Sequence, residues 1–156
     1  MSTSTGNAMT LHTGSDNGGC IMNGVTCDVT SSSNLGCGIT DSNPQSYGDP
    51  FNLAGGGVFA LSWTAQALQV WFFSRDQIPA DLTSGNPDPS GWSTPAATWA
   101  ASSTCDITSN FKDNSITFDL TFCGAWAGAV VPDCVNQVTN NPSVSLYYIM
   151  LPNLQS

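Results

Sequence analysis

The sequence "GGGVFALSWTAQALQVWFFSRDQIP", residues 55–79, decides the fold class of this chain. Its first half alternates, so that Phe59, Leu61 and Trp63 project to one side of an extended backbone. After a polar break, residues 67–73 are apolar on both faces, which is typical of a strand that is covered on both sides. The two runs therefore predict a β-hairpin whose second strand lies inside a sheet.

The remaining segments indicate an all-β domain with long loops. "AMTLHT", residues 8–13, predicts a short strand, and "SITFDLTF", residues 115–122, alternates cleanly and predicts another. A last apolar run, residues 144–151, is a candidate terminal strand. Turn-forming residues dominate residues 14–57 and 80–104, which are predicted to be loops, and no stretch has a helical period. Loops of this length are uncommon in a compact domain unless they carry function.

The charge of the chain excludes several classes of partner. The net charge is −9, and only 8% of the residues are charged. A nucleic-acid partner would require basic patches, and an anionic membrane surface would require basic clusters, so neither is expected. No apolar run approaches the length of a spanning helix, and the start, "MSTSTGNAMT", has neither the basic nor the apolar part of a secretory signal.

The six cysteines favour disulfides and a secreted protein. None forms a Cys-x-x-Cys pair, so a zinc site and thioredoxin-like chemistry are not expected. Secretion without a signal peptide implies that a signal was removed or that the chain is a piece of something longer. Cys20, Cys27 and Cys37 are expected to staple the segment 14–57. The preferred disulfide is Cys123–Cys134, and the other pairings stay open. The disulfide candidates are Cys20, Cys27, Cys37, Cys105, Cys123 and Cys134.

Four of the five tryptophans lie in or next to predicted loops or strand ends: Trp63, Trp92, Trp99 and Trp126. Indole faces on a β scaffold stack on sugar rings, and polar loops hydrogen-bond to hydroxyl groups. This composition is one argument for a carbohydrate ligand. The alternative is that these side chains anchor the core and the loops, because large aromatic residues are highly buried on average.

Several motifs in a fixed order resemble one known family. They are "MTLHT", "GGGVFALSWT", "VWFFSRDQIPADL", "NPDPSGWSTPAATW", "CDITSNFKDNSITFDLTFCGAWAG" and "VTNNPS". Over about residues 7–143 the chain is similar to the C-terminal part of fungal endo-β-1,3(4)-glucanases of glycoside hydrolase family 16, the laminarinase type. The resemblance implies a concanavalin A-like β-jelly-roll sandwich with a concave face that binds β-glucan, and a retaining mechanism. It implies that residues 1–156 are a single partial domain, incomplete at its N-terminus.

The acids that this family uses are not found in the chain. The family carries catalysis on a Glu-Ile-Asp-x-x-Glu strand just before the stretch that resembles "MTLHT", and retaining enzymes need two carboxyl groups about 5–5.5 Å apart. The chain contains no glutamate, and its closest acids, Asp76 and Asp81, are five positions apart. We therefore expect no catalytic residue, no metal and no cofactor. A replacement pair that meets across strands stays a minor alternative, with Asp119 its best single member.

The resemblance also gives candidate sugar contacts. It places His12 beside the cleft and likens Trp126, in "CGAWAG", to a cleft-lining tryptophan. Trp71 and Arg75, on the hairpin, are further candidates for which packing is the alternative. Asp106 and Asp119 are expected to satisfy loop or strand hydrogen bonds.

The sequence departs from the family at two positions. Ser62 and Ala125 stand where the family commonly has acids, and the C-terminal residues drift away from its final strand. These changes affect the polar network of the cleft and the closing of the sheet.

Three functions follow as hypotheses. The first is a family 16 glycosidase-like domain, whose family activity is hydrolysis of O-glycosyl bonds in β-1,3(4)-glucan, and which is inactive as this chain. The second is a non-catalytic, lectin-like β-glucan-binding protein, and the third is a gene product with no function of its own. The expected partner is β-glucan, the family is extracellular, and exposed sheet edges predict self-association.

Overall fold

The computed structural model describes residues 6–15, 19–31 and 35–117. Every helix and strand of the described residues lies in one compact unit, which ends at Asn114. No helix within these residues is both long and apolar enough to cross a membrane.

Within the described ranges strands are the main regular structure and the helices are few and short, which confirms the predicted all-β class. Three helices of one to two turns and two short 3₁₀ turns, Pro44–Ser46 and Pro89–Gly91, accompany the strands. The strands are β1 (Ala8–Leu11), β2 (Ile21–Met22), β3 (Val25–Thr26), β4 (Cys37–Thr40), β5 (Gly57–Trp63), β6 (Ala67–Ser74) and β7 (Ala97–Ala100). The helices are α1 (Gly48–Leu53), α2 (Ala80–Ser84) and α3 (Ile107–Asn110).

The predicted hairpin is confirmed as β5 and β6. They pair antiparallel from Gly57 opposite Ser74 to Trp63 opposite Leu68. Thr64 fixes the turn, because its hydroxyl accepts a hydrogen bond from the backbone N–H of Ala67 at 3.1 Å. The turn residue thus sets the register of the two strands.

Strand β6 has neighbours on both sides, as its apolar faces predicted. It is the middle strand of the sheet β5-β6-β7, and it buries Leu68 on one face and Trp71 and Phe73 on the other. The alternating side chains of β5 behave differently. Phe59, Leu61 and Trp63 are 42%, 62% and 45% exposed, so the structure leaves this apolar face of the hairpin largely uncovered.

The prediction that residues 80–104 are a loop was wrong at two places. Helix α2 begins the segment, and β7 pairs with β6 near its end, from Ala97 opposite Val70 to Ala100 opposite Ala67. The strand has only four residues, and prolines and serines surround it, so its alternation is too short to stand out. Its inward side chains, Ala97 and Trp99, are nevertheless 2% and 5% exposed.

A second sheet is formed by β1 and β4, which confirms the strand predicted in residues 8–13. Leu11 lies opposite Cys37 at one end of this antiparallel pair. The prediction that residues 14–57 are a loop was wrong for β4, for α1 and for the β2–β3 hairpin. Residue Trp99 links β7 to this sheet, because its indole N–H donates to the carbonyl oxygen of Cys37 at 3.1 Å.

Two disulfides join loops to this core. Cys27–Cys37 closes a short segment, as expected for the stapled region, whereas Cys20 pairs with Cys105, 85 residues away. The expectation that the three early cysteines staple the segment 14–57 is confirmed, and Cys20 ties that segment to Cys105 outside it. The described cysteines include no free thiol.

Predictions from the sequence also cover residues 115–151, of which the structure describes only the first three residues. Residues 115–117 of the predicted strand 115–122 are described, and they form no strand, with Ile116 89% exposed. The other residues of that strand, the run 144–151 and the predicted Cys123–Cys134 pair lie outside the described residues.

Candidate functional site

A pocket of about 820 Å³ lies between the segment that follows β4 and the long segment that follows β6. One wall comes from residues 40–43, at the end of β4. The other comes from the end of β6 and from residues 77–96, which include α2 and the Pro89–Gly91 turn. We call it the Trp92 pocket. Its described lining residues are Thr40, Asp41, Ser42, Asn43, Phe72, Phe73, Gln77, Pro79, Asp81, Asp88, Gly91, Trp92, Ser93, Thr94, Pro95 and Ala96.

Aromatic packing fixes the position of the Trp92 ring. Its centroid lies 5.1 Å from that of Trp71 and 5.3 Å from that of Phe73, in both cases edge to face. Such T-shaped contacts are a favoured geometry for aromatic pairs. Because both partners are buried side chains of β6, the sheet itself holds the tryptophan at the pocket.

The carboxylate of Asp81 organises the loop around Trp92. Its Oδ2 accepts the indole N–H of Trp92 at 2.8 Å and the backbone N–H of Asp88 at 2.7 Å. The hydrogen bond from Asp88 lowers the pKa of Asp81, and the one from Trp92 adds to this effect. Asp81 is therefore ionised at neutral pH and connects α2 to the loop that carries the tryptophan.

A second carboxylate continues this network. Oδ1 of Asp88 accepts the hydroxyl of Ser90 at 2.6 Å and its backbone N–H at 3.0 Å, which caps the Pro89–Gly91 turn. The hydroxyl contact is the largest cause that lowers the pKa of Asp88, although the neighbouring charge of Asp81 acts in the opposite direction. Both carboxylates are thus negative in the ordinary pH range.

Asp41, on the opposite wall, is buried, with 4% of its surface exposed. Only one of its two carboxylate oxygens has a hydrogen-bond partner. Its Oδ1 accepts the backbone N–H of Asn43 at 2.8 Å. Its Oδ2 is buried and has no hydrogen-bond partner. A buried carboxylate oxygen without a donor is unusual in a native structure.

The candidate sugar contacts that the structure describes, His12, Trp71 and Arg75, do not line the Trp92 pocket. His12 is exposed and follows β1, where it packs beside Gly36, whose φ of +64° suits a residue without a side chain. A Cβ atom at Gly36 would lie 2.9 Å from Cε1 of His12. Trp126 lies outside the described residues, so its predicted role stays a prediction.

The two hairpin candidates make structural contacts. Trp71 is 3% exposed and donates its indole N–H to the carbonyl oxygen of Ser93 at 2.7 Å, which favours the packing interpretation. Arg75 is exposed, and its Nε donates to the carbonyl oxygen of Gly55 at 3.0 Å, which holds the turn before β5. Neither residue is among the described residues that line the Trp92 pocket.

A second pocket of about 640 Å³ lies among the β2–β3 hairpin, β4 and the residues of β7 and the segment after it. Ile21 and Val25, on the hairpin, are 46% and 52% exposed. Its described lining includes no aspartate and no histidine, so it offers no acid or base. Among the described residues of the whole chain, no group of three or more histidine, cysteine or acidic side chains could hold a metal ion.

Trp92 was predicted from the sequence to be a loop tryptophan, but the residues that surround it were not predicted. The stretch "NPDPSGW" contains the only hint, because an aspartate followed by proline and serine is typical of a capped turn. The contact of Trp92 with Asp81 and the buried position of Asp41 depend on tertiary structure, and no spacing rule predicts them.

Comparison with known proteins identifies the family of the chain. A family model described as "XgeA-like, catalytic GH16 domain" matches residues 1–152. A Schizosaccharomyces pombe protein named "Probable glycosidase" is 42% identical over 158 residues, which cover 88% of this chain and 37% of that protein. A Neosartorya fischeri protein named "Probable endo-1,3(4)-beta-glucanase" is 40% identical over 161 residues, covering 88% of this chain and 24% of that protein.

Solved structures agree with these relatives. Laminarinase 16A from Phanerochaete chrysosporium, solved with two β-glucans in its donor and acceptor sites, matches with a TM-score of 0.75 and 39% identity over 88% of this chain and 52% of that one. An elongating family 16 β-1,3-glucosyltransferase matches with a TM-score of 0.67 and 37% identity, over 81% of this chain and 44% of that one. The predicted jelly-roll fold is thereby confirmed. The chain spans about a quarter to a half of the length of these proteins.

Proposed function

The chain belongs to glycoside hydrolase family 16, and from that premise we propose that these 156 residues bind β-glucan without hydrolysing it. Relatives that are named endo-1,3(4)-β-glucanases and a laminarinase solved with bound β-glucans support the ligand class. The observation that carries the second half of the proposal is the absence of glutamate from the whole sequence. A retaining glycosidase needs one carboxylate as nucleophile and one carboxylic acid as proton donor.

The described aspartates are poor substitutes for the missing acids. A general acid needs a pKa raised towards neutrality, whereas hydrogen bonds lower the pKa of Asp28, Asp81 and Asp88. Asp106 caps α3 by accepting the backbone N–H groups of Thr108 and Ser109. Asp28, Asp81 and Asp88 therefore remain ionised, which makes them unsuited to protonate a leaving group, and Asp106 has a structural role as a helix cap.

The same proposal extends to the location of the protein. Two buried disulfides, Cys20–Cys105 and Cys27–Cys37, cross-link the described part of the chain, and such bonds persist in oxidising compartments. We therefore expect an extracellular protein that meets glucan outside the cell. Retention of oxidised cysteines in protein purified from culture medium would test this location.

A reducing-sugar assay beside a tryptophan fluorescence titration tests the proposal. With laminarin and with mixed-linkage glucan we expect no release of reducing ends. Laminari-oligosaccharides should change the fluorescence with a weak, about millimolar affinity, or ~4 kcal/mol. A weaker response in Trp126→Ala would support the family-derived sugar contact. Release of reducing ends that is lost in Asp119→Ala would contradict the inactive interpretation, and a flat titration would remove the binding proposal.

A further inference from the structure

We propose that the Trp92 pocket is a saccharide-binding site that accepts a neutral pyranose unit and rejects acidic sugars. This inference rests on the proposed β-glucan binding and names a site for it. The pocket's volume of about 820 Å³ is within the range that small-molecule sites usually have. Three features of its walls carry the inference: a fixed indole ring, an exposed amide and a net negative charge.

The indole ring offers an apolar surface and nothing else. The single polar atom of Trp92, its Nε1, already donates to Asp81, so the ring has no remaining donor for a ligand. Its edge-to-face contacts with Trp71 and Phe73 hold the ring before any ligand arrives. A rigid aromatic surface of this kind suits the C–H face of a pyranose, because little conformational entropy is lost on binding.

An exposed amide at the pocket suits a ligand that carries hydroxyl groups. Gln77 lines the pocket and is exposed, and its amide can both donate and accept hydrogen bonds. A hydroxylated ring supplies both kinds of partner, whereas an apolar ligand supplies neither.

The charge of the walls determines which sugars can enter. Asp81 and Asp88 line the pocket, and hydrogen bonds keep both carboxylates ionised. Neither Arg75 nor Lys112, the two strong bases of the chain, is among the described lining residues. A uronate or a sulfated sugar would therefore meet like charges without a compensating cation, and a neutral glucan would not.

Isothermal titration calorimetry of the full chain with three oligosaccharides tests this assignment. The probes are laminaripentaose, an oligogalacturonide of equal length and a chitosan pentamer. The test variant is Gln77→Ala, which removes an exposed side chain that is not required for packing. The matched control is Gln66→Ala, which makes the same change in the exposed turn between β5 and β6. Trp92→Phe is a second test variant, because it keeps an aromatic ring beside Trp71 and Phe73.

We expect laminaripentaose to bind and the oligogalacturonide not to bind. Gln77→Ala should weaken laminaripentaose binding about three- to tenfold, Trp92→Phe should weaken it as well, and Gln66→Ala should leave it unchanged. Binding that is equal in wild type, Gln77→Ala and Trp92→Phe would overturn the pocket assignment and leave the proposed function intact. Binding of the chitosan pentamer alone would overturn the choice of a neutral sugar, and an absence of binding by all three probes would overturn the proposed function together with the site.

Discussion

Nε1 of Trp92 lies 2.8 Å from Oδ2 of Asp81, and this hydrogen bond joins a helix residue to the aromatic side chain of a distant loop position. The same oxygen accepts the backbone N–H of Asp88, so one carboxylate closes the loop at two points. The loop after β6 is therefore an ordered wall of the Trp92 pocket. Its order depends on charge, and this dependence can be measured.

The closure by Asp81 predicts an acid-sensitive stability. Because hydrogen bonds lower the pKa of Asp81 in the folded protein below its ordinary value of 3.8, the carboxylate contributes stability above that pH. The contribution is lost as the pH falls through the lowered pKa, when the proton is bound. Asp81→Asn should therefore lower the melting temperature by a few degrees at pH 6 and less at pH 3, as measured by circular dichroism. The exposed variant Asp113→Asn is the control, and an equal pH dependence in both variants would contradict the prediction.

The two disulfides should contribute unequally to stability. Removal of Cys20–Cys105, whose partners are 85 residues apart, releases a much longer loop than removal of Cys27–Cys37, whose partners are 10 apart. Chain entropy predicts that the Cys20→Ala/Cys105→Ala variant loses about 2 kcal/mol more unfolding free energy than Cys27→Ala/Cys37→Ala. Guanidinium unfolding under matched conditions measures the difference. A larger loss from the short loop would contradict this ordering.

Trp99 should be among the most sensitive core residues. It is 5% exposed, packs in the core and donates to the carbonyl oxygen of Cys37. Trp99→Ala should lose about 3–5 kcal/mol of unfolding free energy, since it leaves a cavity and removes the hydrogen bond. Trp99→Phe should lose less because it keeps most of the packing. Urea unfolding of both variants tests the order, which an equal loss would contradict.

The exposed face of β5 predicts self-association. Phe59, Leu61 and Trp63 form an apolar row on a strand that is at the edge of its sheet within the described residues. Such edges pair with other chains unless charge protects them. We expect light scattering to show a mass that increases with concentration and decreases in Leu61→Lys. Ala65→Lys adds the same charge in the turn and should have no effect, and a wild-type monomer at high concentration would count against this expectation.

The sequence was sufficient to predict the hairpin, because residues 58–64 alternate and residues 67–73 are apolar except for Gln69. It could not predict β7, in which only Ala97 and Trp99 face inward and prolines precede them. The pairing of Cys20 with Cys105 could not be predicted from the sequence either, because a contact between residues 85 positions apart depends on the folded chain.

The candidate site shows the same division. Trp92 was recognisable as a loop tryptophan, since its neighbours are turn formers. The roles of Asp41 and Asp81 were not recognisable, because an isolated aspartate in a polar segment has the same local pattern whether it is solvated or buried. The family resemblance predicted the fold and showed that the catalytic glutamates of the family have no counterpart in this sequence. The described cleft candidates that it gave do not line the Trp92 pocket.

One experiment measures binding and cleavage together: NMR spectroscopy of the ¹⁵N-labelled chain incubated with laminaripentaose. The tryptophan indole N–H signals report binding, and the anomeric proton signals of the sugar report hydrolysis in the same tube. We predict that at least one indole signal shifts in a saturable way while the reducing-end signals keep a constant intensity for days. New reducing-end signals that increase with time, or indole signals that never move, would contradict the account that this chain binds β-glucan without cleaving it.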